Sequence, residues 1–554
     1  MKRILSILFA AIPLMAMAQN TVNVTVDSVG QLSKKIDDKT KFQISELTVA
    51  GPLNGADLKL LQQIVARSKA SEKKGECLVT VVDLSQASIV EGKDGMKTKA
   101  NELPGELFSG AKGLLKVTLP AGITVIGSEA FEDCAALTAI TIPESVTKID
   151  KQAFKDCKGL ASVALPAGLK EIGQEAFENC DALAAIEIPA GVTAIGKQAF
   201  FGCGALASVT LPTGITQIDA QTFSKCKALK SIVLPESVKE LGNGAFEGCG
   251  ALADIQMATV EKLGNNAFEG CKSLTTVTFN ALSKLGLDAF KDCQSLKEAN
   301  VPGNYTEIGD EAFYGCVSLE KLTIPNSVKT IGSGAFRDCK KMDTFDMPSS
   351  LEKIGSHAFE DCASLKRAIL PSSVKSIGSS AFQDCTSLDS VSIDCLVSSL
   401  DTDVFRNCRS LRSISLPASV KKIGKQAFRE CSALTDVTLP VSLSYIGEQA
   451  FEKCVALTSI TLPVAVTEVD DDAFAECSSL THVELPAAIK KLGSSAFGKC
   501  PALSVVTIKS PAPPTISKST FKGSPCTIYV PKGSDKVYKT HKDWAKQSNV
   551  KELK

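Results

Sequence analysis

The sequence has few of the residues on which enzyme active sites are usually built. Its three histidines, His357, His482 and His541, fall at unrelated places along the chain, so they are not expected to converge on one site. No phosphate-binding loop, zinc signature, pair of dinucleotide-binding glycines or catalytic-triad motif occurs. The sequence therefore predicts a protein that is not an enzyme and that needs no cofactor and no metal ion.

Net charge and large aromatic rings are also scarce. The 61 Lys and Arg residues balance 61 Asp and Glu residues, so nothing in the charge favours nucleic acid or an anionic membrane as a partner. There is one Trp and there are five Tyr residues, whereas sugar-binding surfaces commonly stack rings on these side chains. A carbohydrate-binding platform is therefore disfavoured, although hydroxyl and amide groups remain able to bind the edges of sugars.

Long apolar runs are missing after the N-terminus. The chain begins MKRILSILFAAIPLMAMAQN, which has the cationic start, short apolar run and small-residue end of a signal peptide cleaved after Ala18. No later segment approaches the roughly 20 apolar residues of a membrane-spanning helix. The first cysteine after the predicted cleavage site is Cys77, so no lipid anchor is expected there. The sequence predicts an exported protein, not inserted in a membrane, that is secreted, attached to the cell surface or periplasmic.

What the sequence does contain is one motif repeated at a period of 23 residues, with two steps of 22. A phenylalanine stands three residues before each repeat cysteine, from Phe131 to Phe497. The repeat cysteines lie at positions 134, 157, 180, 203, 226, 249, 271, 293, 316, 339, 362, 385, 408, 431, 454, 477 and 500. An earlier copy has Phe108, with Ala111 in the cysteine place. Such a period indicates a solenoid, and it overrides any estimate of domain number from length.

Each copy is numbered here from its opening leucine, so that Leu137 is position 1 of the copy that ends at Gly159. Apolar positions 4 and 6 alternate with polar residues and stop at a proline, which predicts a short parallel strand. Positions 17, 18 and 21 predict a two-turn helix that follows a Gly or Asp N-cap at position 14. A helix this short does not persist alone, so each copy must pack on its neighbours.

The motif L-x-x-I-x-L-P-x-x-V-x-x-I-G-x-x-A-F-x-x-C resembles the BspA-like, or Treponema pallidum type, leucine-rich repeats of bacterial exported and surface proteins. The resemblance implies an α/β solenoid: a right-handed leucine-rich repeat arc of about 18 coils, with a parallel β-sheet on the concave face and a cap at both ends. It also implies adhesion or protein binding, and the flanking segments look like those of related proteins from Bacteroidota. The expected organisation is a signal peptide (1–18), an N-terminal capping region (19–105), the repeats (106–509) and a C-terminal cap (510–554).

The repeat cysteines raise a choice between disulfides, metal sites and simple packing. Packed helices stand about 8 to 10 Å apart, which is too far for a disulfide, and stacked side chains point the same way. No C-x-x-C or Cys/His cluster with metal-ligand spacing occurs. The sequence therefore predicts reduced thiols buried below the phenylalanines, while Cys77, Cys395 and Cys526 lie outside the register and receive no assignment.

One stretch of repeats departs from the regular pattern. Copies seven and eight are each one residue short and lack the strand-ending proline, and charged residues then occupy the outward strand positions. Repeats that break a local rule are candidates for function, although drift in a redundant repeat explains the same facts. The candidate ligand-contacting residues are Asp254, Gln256, Glu298, Asn300, Lys321, Asp346 and Arg367. The expected ligand is a host or bacterial surface protein; a glycan-binding or purely structural role in the cell envelope is the alternative.

Overall fold

The computed structural model describes residues 20–65, 79–280, 282–547 and 549–553 of the 554-residue chain. The predicted signal peptide (1–18) and Cys77 lie outside the described residues. The chain divides into two compact units, Met1–Pro212 and Thr213–Lys554. Each unit is described separately below.

The described part of the first unit consists of short parallel strands with two helices near its start. Its elements are β1 (Thr21–Thr25), α1 (Leu32–Lys35), β2 (Glu46–Leu53), α2 (Gly55–Val65), β3 (Val81–Asp83), β4 (Ala87–Ile89), β5 (Glu102–Leu103), β6 (Lys116–Thr118), β7 (Val125–Ile126), β8 (Ala139–Thr141), β9 (Lys148–Ile149), β10 (Ser162–Ala164), β11 (Glu171–Ile172), β12 (Ala185–Glu187), β13 (Ala194–Ile195) and β14 (Ser208–Thr210). The strand orders are β1-β2-β3-β6 with β4 also on β2, β8-β10, β12-β14, and β5-β7-β9-β11-β13.

The second unit repeats the same two rows of strands and ends in one helix and two further strands. Its elements are β15 (Gln217–Ile218), β16 (Ser231–Val233), β17 (Glu240–Leu241), β18 (Asp254–Gln256), β19 (Lys262–Leu263), β20 (Thr276–Thr278), β21 (Glu298–Asn300), β22 (Glu307–Ile308), β23 (Lys321–Thr323), β24 (Thr330–Ile331), β25 (Lys353–Ile354), β26 (Arg367–Leu370), β27 (Ser376–Ile377), β28 (Ser390–Ile393), β29 (Ser399–Leu400), β30 (Ser413–Ser415), β31 (Lys422–Ile423), β32 (Asp436–Thr438), β33 (Tyr445–Ile446), β34 (Ser459–Thr461), β35 (Glu468–Val469), β36 (His482–Leu485), β37 (Lys491–Leu492), β38 (Val505–Ile508), β39 (Thr527–Val530), α3 (Asp535–Thr540) and β40 (Val550–Glu552).

The described strands of the second unit form seven parallel sheets. Those built from positions 3 to 5 of the copies are β16-β18, β20-β21-β23, β26-β28-β30-β32 and β34-β36-β38-β39-β40. Those built from positions 12 and 13 are β15-β17-β19, β22-β24-β25-β27 and β29-β31-β33-β35-β37. Residues one period apart are register partners, as Ser390 and Ser413 are.

The fold is a parallel β-solenoid of the leucine-rich repeat type, with about 22 turns of roughly 23 residues. This confirms the fold class expected from the sequence, although about 18 coils were counted there. The difference arises because strands outside the repeat motif also join the sheets. In the first unit β1, β2 and β3 extend the sheet that contains β6, and in the second unit β39 and β40 extend the sheet that contains β38.

The prediction of a two-turn helix in every copy is wrong. Positions 15 to 20 form turns, and two residues per copy take left-handed backbone angles, as Gln152 (φ 58°) and Asp156 (φ 57°) do. This conformation directs every second N–H group at the next coil. Gln152, Phe154 and Asp156 donate to carbonyls of the next coil at 2.9, 2.8 and 2.8 Å. The segment therefore forms a third hydrogen-bonded row, which we call the turn ladder.

The residue at position 14 also has a different role from the helix cap that was expected. It precedes turns, and in most copies it is a glycine. A Cβ added to Gly173 would lie 2.6 Å from the carbonyl carbon of Asp150 on the preceding coil. At this position glycine permits close approach of two backbones.

The turn ladder sets the spacing of the aromatic core. Within the first unit the rings from Phe108 to Phe200 stack with centroids 5.0 to 5.5 Å apart. Within the second unit the rings from Phe246 to Phe497 continue at similar distances, for example 5.5 Å between Phe246 and Phe268 and 5.3 Å between Phe474 and Phe497. These phenylalanines are buried, so the core of each unit contains a column of near-parallel rings.

The repeat thiols lie directly beside this column. Cys157 donates its S–H to the carbonyl oxygen of Phe131 on the preceding coil at 3.0 Å, and Cys362 does the same to Phe336 at 3.2 Å. The cysteines of the described residues are buried thiols. Burial raises the pKa of the Cys203, Cys249 and Cys431 thiols to about 12, which keeps them in the unreactive protonated form.

The helix spacing of about 8 to 10 Å that was expected to exclude disulfides is absent. Without helices, the coils at the turn ladder approach to about the 4.8 Å of paired strands, which is compatible with the Cα separation of a disulfide. What opposes bonding is direction, because each thiol points to a phenylalanine carbonyl. Cys395 and Cys526 are likewise free and buried.

Both ends of the chain carry buried anchoring residues. Near the start, the buried carboxylate of Asp57 accepts N–H bonds from Gly30 at 2.7 Å and Leu32 at 2.9 Å. Near the end, the fully buried Trp544 ring meets Tyr538 edge-on at 4.9 Å, and its Nε1 donates to Pro514 at 2.7 Å. Within the described ranges, the helices are all too short or too polar to span a bilayer.

The buried thiols generate the first prediction. We expect the seventeen repeat cysteines to be reduced in the native protein, because each is buried and the thiols are directed at phenylalanine carbonyls of the preceding coil, as in Cys157 and Cys362. Thiol counting on denatured, unreduced protein should give at least seventeen. A count below about ten would mean that neighbouring thiols are joined, and it would overturn the packing interpretation.

Candidate functional site

The candidate site lies on the exposed side of the first row of strands. In these strands position 4 is buried or half-buried while positions 3 and 5 are mostly exposed, as Ile255 lies between the exposed Asp254 and Gln256 of β18. This alternation is the ordinary consequence of a strand with one side on the core. We call the exposed side chains at positions 3 and 5 the strand face.

The structure places six of the seven predicted site residues in three sheets of the second unit, and Asp346 outside a strand. Asp254 and Gln256 lie on β18, which pairs with β16. Glu298 and Asn300 on β21 lie beside Lys321 on β23, in one three-stranded sheet. Arg367 is the first residue of β26 in a different sheet.

The closest grouping is around Glu298 and Lys321. These two residues are direct register partners on adjacent parallel strands, and both are exposed. In the part of the chain that the structure describes, no ion pair involves Glu298, Lys321, Asp346 or Arg367. Gln256 donates to Asp254 at 3.3 Å.

Charged residues away from the strand face differ because many of them form ion pairs. Many of them bridge successive coils, as do Lys262 with Glu240 at 3.6 Å, Arg337 with Glu360 at 3.0 Å, and Arg429 with Glu452 at 2.8 Å. Those pairs satisfy their charges within the stack. By contrast, Glu298 on β21 and Lys321 on β23 are exposed to solvent and form no ion pair within the described residues.

Asp346 is exposed like most of the other predicted site residues, but it does not lie on a strand. The segment that should form a strand there, 344–346, is not in a strand, and its position 4 is Phe345 instead of an aliphatic residue. The Phe345 ring packs against Phe336 and Phe359, with both centroids at 5.0 Å. A ring does not fit the slot that branched aliphatic side chains fill, so the backbone departs from strand pairing here.

The two shortened copies create a feature that the sequence did not predict. Their loops close through single bridges, Lys262 to Lys284 and Leu282 to Gly303. A Cβ on Gly303 would lie 1.9 Å from the carbonyl oxygen of Leu282, so this approach requires glycine. Beside them is a groove of about 430 Å³, with Lys239, Thr259, Glu261, Asn280, Ser283 and Asn304 among its lining residues. The missing prolines of these copies were the signal that could have located it.

Two clusters of acidic residues contain carboxylates that already have partners within the protein. In the run VDDDAF, Asp470 accepts a hydrogen bond from the Tyr445 hydroxyl at 2.8 Å, and Asp471 accepts one from the Ser494 N–H at 2.6 Å. Glu360, Asp361 and Asp384 bring carboxylate oxygens within 4.8 Å of one another. Glu360 is already paired with Arg337, and its Oε2 lies 2.7 Å from Nδ1 of His357.

Burial, together with the carboxylates of Asp338 and Asp384, raises the pKa of Asp361. A raised pKa reflects repulsion between neighbouring acids. A cluster whose most buried member is neutralised by an arginine offers less charge to a cation than its residue count suggests.

Comparisons with known proteins agree with this architecture. The family described as "BspA type Leucine rich repeat region (6 copies)" matches residues 96–206, 193–320, 306–432 and 398–527. A comparison with curated proteins gives no match.

Solved structures of bacterial leucine-rich repeat proteins are also similar. A leucine-rich repeat protein from Bacteroides ovatus is 26% identical over 84% of this chain and 90% of its own, with a TM-score of 0.29. A leucine-rich cell surface protein from Faecalibacterium prausnitzii is 24% identical over 67% and 87%, with a TM-score of 0.25. The T. pallidum leucine-rich repeat protein is 30% identical over 34% and 76%, with a TM-score of 0.26.

The family matches overlap one another and run from residue 96 to residue 527, which is more than half of the 554 residues. They cover the two strand rows, the turn ladder and the strand face. The chain belongs to the BspA-type leucine-rich repeat family.

Proposed function

We propose that this chain is a non-catalytic, exported protein that binds another protein through its strand face, around Glu298 and Lys321. The observation that supports the proposal is the exposed pair of opposite charges on adjacent strands, free of ion pairs within the described residues. Asp254 and Arg367, on other strands of the same unit, add one charge of each sign. Gln256 on the strand of Asp254 and Asn300 on the strand of Glu298 supply amide groups.

Such a surface suits recognition of a folded protein partner. Charges of both signs fix the register of a complex and speed its formation more than they add raw affinity. Around them the strand face carries small hydroxylic residues, as at Thr278, Thr323 and Ser392, so a partner can approach the strands closely. Membership of a repeat family, with no match to an enzyme family, supports a role in binding.

A glycan ligand is the alternative function. Hydroxyl and amide groups on the strand face would support it. Positions 3 and 5 of the repeat copies have no Trp or Tyr ring on which a sugar could stack, and Tyr529 on β39, the register partner of Thr507, is half-buried. We therefore favour a protein partner and treat glycan binding as an outcome that the experiment must be able to detect.

The second prediction concerns the paired charges. We expect the double variant Glu298→Ser/Lys321→Ser to bind its protein partner about tenfold more weakly, with an unchanged melting temperature because both residues are exposed. The measurement is quantitative capture from a surface-protein extract by immobilised wild-type and variant chains, alongside a glycan array. Binding should also weaken as the salt concentration rises.

A matched control removes one carboxylate and one ammonium group elsewhere in the same unit. Lys422→Ser/Asp436→Ser does this, since both residues are exposed and neither forms an ion pair in the described ranges. Proteins captured by the wild type and the control but lost in the Glu298/Lys321 variant support the proposal. Equal capture by all three chains, or selective signals on the glycan array only, would contradict it.

The third prediction concerns export. If the first 18 residues act as a signal peptide, the protein purified from its native cells begins at Gln19, because cleavage follows Ala18. N-terminal sequencing checks this, and protease treatment of intact cells then separates surface display from a periplasmic location. Protein that retains Met1 in the cytoplasmic fraction would exclude an exported role.

A further inference from the structure

The first strand of the chain has an edge that no other described strand covers. β1 is the end member of the order β1-β2-β3-β6 and pairs with β2 alone. Unpaired strand edges are templates for pairing with another chain, and proteins normally protect them with Lys, Pro or bulges. The five residues of β1, Thr-Val-Asn-Val-Thr, contain none of these.

The hydrogen-bonding groups on this edge can be identified. Asn20 accepts from Glu46 N–H and Val26 donates to Ala50, so the even-numbered residues face β2. In a strand the backbone groups of alternate residues point to opposite edges. The N–H and C=O groups of Thr21, Asn23 and Thr25 therefore point away from β2, and all three residues are exposed.

The sequence of β1 reads the same in both directions about Asn23. If a second copy pairs antiparallel with its register centred on Asn23, then Asn23 faces Asn23, and Thr21 faces Thr25. The same register places Val22 opposite Val24 on the core side of the strand. Thr–Thr and β-branched pairs are favourable cross-strand neighbours, and no charge opposes a like charge.

We infer that the edge of β1 is a self-association site, at which two copies of this chain pair antiparallel about a two-fold axis through Asn23. This arrangement is isologous, so it closes at two copies and does not propagate into a fibre. About six backbone hydrogen bonds would join the strands. It does not depend on the partner site around Glu298.

Three further observations favour a second copy over open solvent. The coil that contains β1 also exposes two large apolar side chains, Val29 at 45% and Phe42 at 61%. The terminal strand at the other end of the chain, β40, carries Lys551 and Glu552, which are the charged residues that normally protect an edge. The coil is also held firmly to α2 by Asp57, so β1 is presented on a fixed support.

Charge exchange at Asn23 tests the inference, because this residue faces itself only in the proposed dimer. The chain from Gln19 onward is measured by sedimentation velocity over a concentration series, as wild type, Asn23→Lys, Asn23→Glu and Asn23→Ser. We expect dimers of the wild type and of Asn23→Ser, and at least about tenfold weaker association of each charged variant alone. An equimolar mixture of Asn23→Lys and Asn23→Glu should restore association, as heterodimers.

Thermal melting of each variant verifies that the exposed substitution leaves the fold intact. A wild type that stays monomeric up to roughly 200 μM, beyond the range of even a small interface, would overturn the inference. So would charged variants that dimerise as the wild type does, or a mixture that fails to associate. Any of these three results would mean that β1 does not pair with a second copy about Asn23.

Discussion

Backbone hydrogen bonding between successive coils is the constraint on which the rest of each unit depends. At the turn ladder, every second N–H group of a coil donates to the next coil. The N–H groups of Phe131 and Phe154, on two successive coils, do so at 2.8 Å. This requires left-handed residues that cost energy when they are not glycine, so the conformation persists only in a stack. The same bonds bring the phenylalanine rings to within about 5 to 6 Å and turn the cysteine thiols toward carbonyl oxygens.

Much of this could be predicted from the sequence because the period repeats without interruption. The solenoid, the strands at positions 3 to 5, and the buried Phe and Cys residues follow from apolar spacing alone. The turn ladder could not be predicted, because apolar residues at positions 17, 18 and 21 suit one helical face equally well. What decides between the two is long-range pairing with the next coil, which a local pattern does not contain. The extra coils at both ends were missed because β1, β2, β39 and β40 lack the motif.

The candidate site was predictable to a similar extent. Alternation along each strand correctly placed Glu298 and Lys321 on an exposed face, and equal spacing made them register partners. Asp346 is exposed as well, but the strand expected there is absent because Phe345 packs between two core rings. The groove beside Asn280 and Asn304 results from two missing residues, and the path of a shortened loop depends on contacts with its neighbours. A regular scaffold with a few charged strands is suited to binding, since the turn ladder and core fix the position of every strand residue.

Hydrogen exchange resolved to single amides tests the central claim most directly. In the native protein the amides of residues such as Gln152, Phe154 and Asp156 should exchange as slowly as those of the neighbouring strands β8 and β10. The reason is that each of them donates to the next coil and opens only when the coils separate. Rapid exchange at these three amides, at the rate of exposed turns, would contradict the account, because the turn ladder would then not hold the coils together.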